Sequence, residues 1–184
     1  MNRISIPTAE QTPTASIPLL DAVNKQLGVV PNMMKLIGNS PAALEGYLNL
    51  NGALSKGTIG VKTSERIALA ISEFNECSYC LSAHTYLGEN VAKLDAAEMK
   101  ANRNGSSLDT KANAAIRFAT IVARTRGHVS DADVQAVKVA GFNNAEVIEI
   151  VLHVALNTLT NYVNEVAKTV IDFPEVHPQV RMAA

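Results

Sequence analysis

The chain has 184 residues, a formal net charge of −1, 47% hydrophobic residues, 4% aromatic residues and no Trp. That length fits one domain with a real core, and the near-neutral charge excludes an electrostatic nucleic-acid surface. Two cysteines in C-x-x-C spacing are not a secreted disulfide framework, residues 1–18 hold no apolar stretch of the secretory kind, and no run reaches about 18 apolar residues, so neither a membrane span nor a membrane partner is expected.

Ala, Val, Leu, Ile and Asn dominate, which suits packed helices. Residues 1–16 are polar, carry Pro7 and Pro13, and read as an extended arm. A helix over 17–27 follows, with Leu20, Val23 and Leu27 on one face and Gly28 as its stop. Pro31 suits the first turn of a short helix with Met33, Met34, Leu36 and Ile37 on its apolar side. Ser40-Pro41 is a cap followed by proline at the first helical position, opening a helix over 41–55. Gly57 to Gly60 form a loop, and Thr63 or Ser64 caps the next helix, which carries Glu65, Ile67, Ala68, Ala70, Ile71 and Phe74. A break at Asn75-Glu76 precedes a helix from Cys77 to about Glu89. Asp95 caps a short helix that ends before Asn104-Gly105. Asp109 or Thr110 starts a helix to Thr125, with Ala115, Phe118, Ala119 and Val122 buried. Ser130 caps a helix with Asp131 and Asp133 in its first turn, favourable against the helix dipole. Asn143 or Asn144 caps a last helix to about Val170, with Val147, Ile150, Val151, Val154, Leu156 and Leu159 inward. Pro174 and Pro178 mark a tail. No strand alternation occurs, so the expected fold is all-α with eight to ten helices: arm 1–16, helical domain 17–174, tail 175–184.

The chemistry concentrates in residues 63–90, where Cys77, Cys80, His84 and Glu65 fall together. Cys77, Cys80 and His84 stand at i, i+3 and i+7, one face of a helix. In the first turn of a helix, free backbone N–H groups and the dipole favour a thiolate. Geometry therefore supports dithiol chemistry with an imidazole one turn away. Glu65 lies about 18 Å from Cys77 on an unbroken helix. It joins the thiols only if the chain folds back at Asn75-Glu76; otherwise it is a first-turn carboxylate. Glu73 and Glu76 read as solvated, and His128 as an exposed loop histidine. His153 reads as a core or interface histidine. Asn157, Asn161, Tyr162 and Asn164 share one helix, with a subunit interface as the first expectation and the pocket as the second.

The run S-E-R-I-A-L-A-I-S-E-F-N-E-C-S-Y-C-L-S-A-H resembles the alkylhydroperoxidase AhpD-like, or carboxymuconolactone decarboxylase-like, family, whose motif is Glu, eleven residues, then C-x-x-C-x-x-x-H. The segments V-P-N-M-M-K-L-I-G-N-S-P and A-L-N-T-L-T-N-Y-V-N-E-V-A-K-T resemble its peroxidase-related branch, so the likeness spans about 28–174. The resemblance implies an oligomeric AhpD-like helical domain (dimer, trimer or hexamer), a thiol peroxidase reducing a hydroperoxide, and no cofactor or bound metal. It implies Cys80 as the peroxidatic thiol, Cys77 as the resolving thiol, and His84 with Glu65 as the proton relay. It implies an external dithiol donor of lipoyl or thioredoxin type and a cytoplasmic, antioxidant role. The decarboxylase branch typically lacks the cysteine pair, which disfavours decarboxylation here. Tyr79 stands between the cysteines, where founding members can carry a histidine. Three other readings compete: a zinc site on Cys77, Cys80 and His84 with Glu65 or His153 as fourth ligand, a redox-silent helical oligomer, and a disulfide oxidoreductase without peroxidase turnover.

Overall fold

Helix caps written into the sequence set most of the element boundaries. Asp95, Asp109, Ser130 and Asn143 each accept a hydrogen bond from the backbone N–H three residues on. Ser130 with Asp133, and Asn143 with Glu146, close full capping boxes, satisfying donors that a bare helix start leaves open. The structure, a computed structural model, describes residues 3–179. The outer ends of the expected arm (1–2) and tail (180–184) lie outside them. Among the described residues there are nine α-helices and no strands: α1 (Ile17–Leu27), α2 (Asn32–Ile37), α3 (Pro41–Leu54), α4 (Gly60–Phe74), α5 (Ser78–Asn90), α6 (Ala96–Arg103), α7 (Thr110–Thr125), α8 (Asp131–Val139) and α9 (Asn144–Ala167). The all-α expectation holds. No single described helix is long and apolar enough to cross a membrane.

Helix α4 is the hub, packed against α5, α6, α7 and α9. Ile67, Leu69 and Ile71 are completely buried, as are Ile116 of α7 and Ile150 of α9. Each such side chain contributes about 1.5–3 kcal/mol of burial, and Ile71→Ala would cost about 2–5 kcal/mol. A second apolar cluster joins α1, α2 and α3 to the α5 cysteines and Leu156.

Three expectations are corrected. Helix α4 begins at Gly60, not at a Thr63 or Ser64 cap. Its entry is capped from a distance: the Glu149 carboxylate of α9 accepts from the Thr58 and Ile59 amides at 2.7 and 3.1 Å. A Cβ on Gly57 would stand 2.7 Å from that carboxylate, so the residue must be small. Glu65 therefore sits in the second turn, where the first-turn dipole account does not apply. On α9, Val151 and Leu159 face outward, and the inner face carries Ile150, His153, Val154, Asn157, Asn161 and Asn164. The asparagines are buried because they find partners inside: Asn75 donates to Asn161, and Asn164 to the Cys80 sulfur. Glu73 is not solvated; it is 6% exposed and accepts from Arg103 at 2.6 Å.

Residues 170–179 run back across α4 and α5. Asp172 accepts from the Asn32 amide and the Tyr79 hydroxyl, both at 2.8 Å. The Val176 amide donates to Ser82 and the Gln179 amide to Glu73.

Candidate active site

The turn between α4 and α5 brings the site together. Glu76 adopts a left-handed φ of 56°, and the Cys77 amide bonds back to the Ser72 carbonyl at 3.0 Å. α5 therefore folds back along α4 instead of continuing it. Glu65 and His84, nineteen residues apart, meet with Glu65 Oε2 2.9 Å from His84 Nδ1. Cys77 is the N-cap of α5, and its sulfur accepts from the Cys80 amide at 3.3 Å. Cys80 is thus in the first turn, one turn before His84. Both thiols are free and buried, but only Cys80 reaches the wall of a cavity of about 310 Å³ that also meets Glu65 and His84.

Electrostatics separates the two sulfurs. Burial pushes the Cys80 thiol up, but the hydrogen bond from Cys77, the His84 charge and the Asn164 and Asn161 amides outweigh it. The net result is a thiol lowered to about 7. Cys77 moves the other way, held as a thiol by its hydrogen bond to Cys80 and by burial. His84 is partly buried, which disfavours its charge, yet Glu65 and the Cys80 thiolate raise it above the ordinary imidazole value. The site can therefore hold a thiolate, a thiol donor beside it and an imidazolium paired to a carboxylate at once.

All four residues singled out from the motif are brought together. Asn164 was assigned first to an interface; its amide instead donates to the Cys80 sulfur at 3.3 Å. The asparagine-rich stretch was the available signal, but nothing local says which way it faces. Tyr79 packs: its ring meets Phe173 edge-on at 5.9 Å, and its hydroxyl ties Asp172 to the Met33 amide. His153 lies in the cavity wall. Among the described residues no three His, Cys, Asp or Glu side chains converge as metal ligands, so the zinc reading gains no donor set.

Residues 41–99 match the model of the carboxymuconolactone decarboxylase family. The chain shares its fold with an uncharacterized peroxidase-related protein from Silicibacter sp. TM1040, at 21% identity and a TM-score of 0.80, over 92% of this chain and 91% of that one. It likewise matches a protein from Ralstonia eutropha JMP134 described as an alkylhydroperoxidase AhpD core, at 23% identity and 0.81, over 93% and 92%. The debrominase Bmp8 has the same fold at 18% identity and 0.75, over 92% of both chains. No curated protein sequence matches the chain. The resemblance drawn from the sequence is borne out: residues 41–99 match the carboxymuconolactone decarboxylase family model, and the helical fold is AhpD-like.

Proposed function

We propose that the protein is a thiol-dependent hydroperoxide reductase. The observation that carries this reading is the Cys80 sulfur, lowered to about 7, on the wall of an apolar cavity beside a His84–Glu65 pair. The Cys80 thiolate attacks the terminal oxygen of a hydroperoxide. An S–O bond forms, the O–O bond breaks, and the sulfur is oxidised by two electrons to a sulfenic acid. The departing alkoxide takes a proton from His84, which Glu65 holds in place and which had received the Cys80 proton. The Cys77 thiol then displaces hydroxide from the sulfenic acid, giving a Cys77–Cys80 disulfide and water. An external dithiol of lipoyl or thioredoxin type reduces that disulfide and is itself oxidised. We place the cycle in the cytoplasm, where thiol reductants keep both sulfurs reduced.

The test is peroxide consumption by the reduced protein, read with intact mass. The wild type consumes about one equivalent and loses two hydrogens; Cys80→Ser is inert; Cys77→Ser gains one oxygen. If hydroperoxide leaves both thiols untouched while Cys80 is still alkylated at neutral pH, the reading fails. The thiols then serve another chemistry; a debrominase shares this fold.

We assign self-association to the outer face of α9. Ile148, Leu152, Ala155, Leu159, Tyr162 and Val166 are spaced 4-3-4-3-4 and exposed, Ile148, Tyr162 and Val166 at 60% or more. That is the seam by which one helix packs on a copy of itself. Leu159→Glu should lower the mass measured by light scattering to that of a single chain; an unchanged mass removes the assignment.

A further inference from the structure

The cavity over Cys80 is walled mainly by apolar side chains, Val29, Met33, Leu87, Leu156 and Phe173 among them. Two polar groups on that wall have no work within the fold. Tyr47 is 9% exposed, and its hydroxyl makes no hydrogen bond to any described residue. Burial, with the charges of Cys80 and Glu65, pushes its hydroxyl up, so it keeps its proton. His153 is 6% exposed, and its Nε2 is buried with no partner. Glu149, Glu65 and His84 are the charged groups around it, and burial keeps the ring neutral. Burying a polar group without a partner forfeits its hydration, and native folds seldom tolerate this except at functional sites. Here one such atom, His153 Nε2 of α9, and the unbonded Tyr47 side chain of α3 line one cavity beside a reactive sulfur. Neither is among the groups that lower the Cys80 thiol.

We propose that Tyr47 and His153 are substrate-binding residues, holding the oxygen-bearing end of a compact apolar organic molecule whose hydrocarbon body fills the cavity. The chemistry of that molecule, an organic hydroperoxide, rests on the thiol peroxidase reading; the binding does not. A volume of about 310 Å³ suits a small ligand. In the reaction, Tyr47 donates to the oxygen bonded to carbon. As the thiolate takes the terminal oxygen, that same oxygen becomes the alkoxide, and the hydrogen bond strengthens with its charge. Tyr47 keeps its proton throughout; His84 supplies the one that completes the alcohol. Neutral His153 pairs with the hydroperoxide end and fixes its angle to the sulfur.

The test uses cumene hydroperoxide, its product 2-phenyl-2-propanol and iodoacetamide on the full reduced protein. Tyr47→Phe and His153→Phe should each slow single-turnover oxidation by cumene hydroperoxide by about ten- to a hundredfold, and His153→Gln should recover part of the loss. Both Phe variants should weaken binding of the alcohol, followed by ligand-observed NMR. Alkylation of Cys80 by iodoacetamide, including its pH midpoint, should stay at the wild-type value. If alkylation slows in parallel, the two residues tune the thiol and the proposal falls. It also falls if neither oxidation nor alcohol binding changes, or if the wild type does not bind the alcohol. If the wild type binds the alcohol in a Tyr47-dependent way yet ignores hydroperoxide, the binding pair stands and the peroxidase reading is what fails.

Discussion

Glu65 and Arg66 are neighbours on α4 and point to two different buried carboxylate sites. Arg66 reaches Glu98 of α6 at 2.7 Å. Glu98 also accepts from Asn102 at 3.0 Å, from the Leu108 amide at 2.8 Å and from the Ser107 hydroxyl. Three of these donors meet Oε1 and one Oε2, and the carboxyl is held below its ordinary value: burial opposes the charge, and the hydrogen bonds and Arg66 outweigh it. Glu65 has one described partner, His84. A carboxylate engaged by four donors from different segments ties those segments together. Glu65 instead meets a single imidazole at the wall of a cavity. The contrast separates a carboxylate that ties elements together from one placed at the thiol cavity.

The largest expected effect breaks the pair at Glu65. Glu65→Gln should lower the hydroperoxide reaction of Cys80 by about 10²–10⁴-fold, with a thermal midpoint close to wild type; stopped-flow oxidation and a melting curve check this. A large stability loss with little kinetic loss would make Glu65 a second scaffold carboxylate. Glu98→Gln should do the reverse. It should cost about 1–3 kcal/mol at neutral pH and leave the reaction per folded molecule unchanged, as read by urea unfolding. Because the folded-state carboxyl of Glu98 is lowered from 4.5, its stabilisation is present above that pH. It fades as pH falls through the folded value, so the difference between variant and wild type should shrink in acid.

Asn164→Leu removes a donor from the sulfur and not from a carboxylate. Alkylation of wild-type Cys80 should climb with pH and reach half its maximum near the value of about 7. In the variant the midpoint should move toward the free-thiol range of about 8.5. An unmoved midpoint would show that His84 and Cys77 suffice. The smallest effect is expected at Asp172, an intermediate case with two donors, Asn32 and Tyr79. Asp172→Ala should cost about 1 kcal/mol and speed amide exchange in residues 170–179, with Cys80 chemistry little changed.

Much of this was legible in the chain because the physics is local. Side-chain caps, glycine stops and Pro41 at a first helical turn fix α1 to α3 and α6 to α9 to within a few residues. Cys77, Cys80 and His84 lie on one helix, so their shared face follows from 3.6 residues per turn. The misplaced start of α4 has a non-local cause, since its cap is Glu149, 91 residues away in sequence from Thr58. The face of α9 was misjudged for a related reason. Apolar periodicity sends asparagines outward, but Asn161 and Asn164 meet Asn75 and Cys80 inside. The leucines and valines of the opposite face are left outside.

By itself the sequence determined the helices, their order, the all-α class and the thiol–thiol–imidazole face of α5, because each depends on residues within a turn or two. The tertiary structure alone decided that Glu65 reaches His84, that Asn164 reaches Cys80, and that Tyr47 and His153 share a cavity with the thiol. Those meetings depend on a left-handed turn at Glu76, on how α5 and α9 pack against α4, and on how α3 packs against α9. Packing brings Asn164 to Cys80 across 84 positions and Asn32 to Asp172 across 140, and no local propensity encodes such distances.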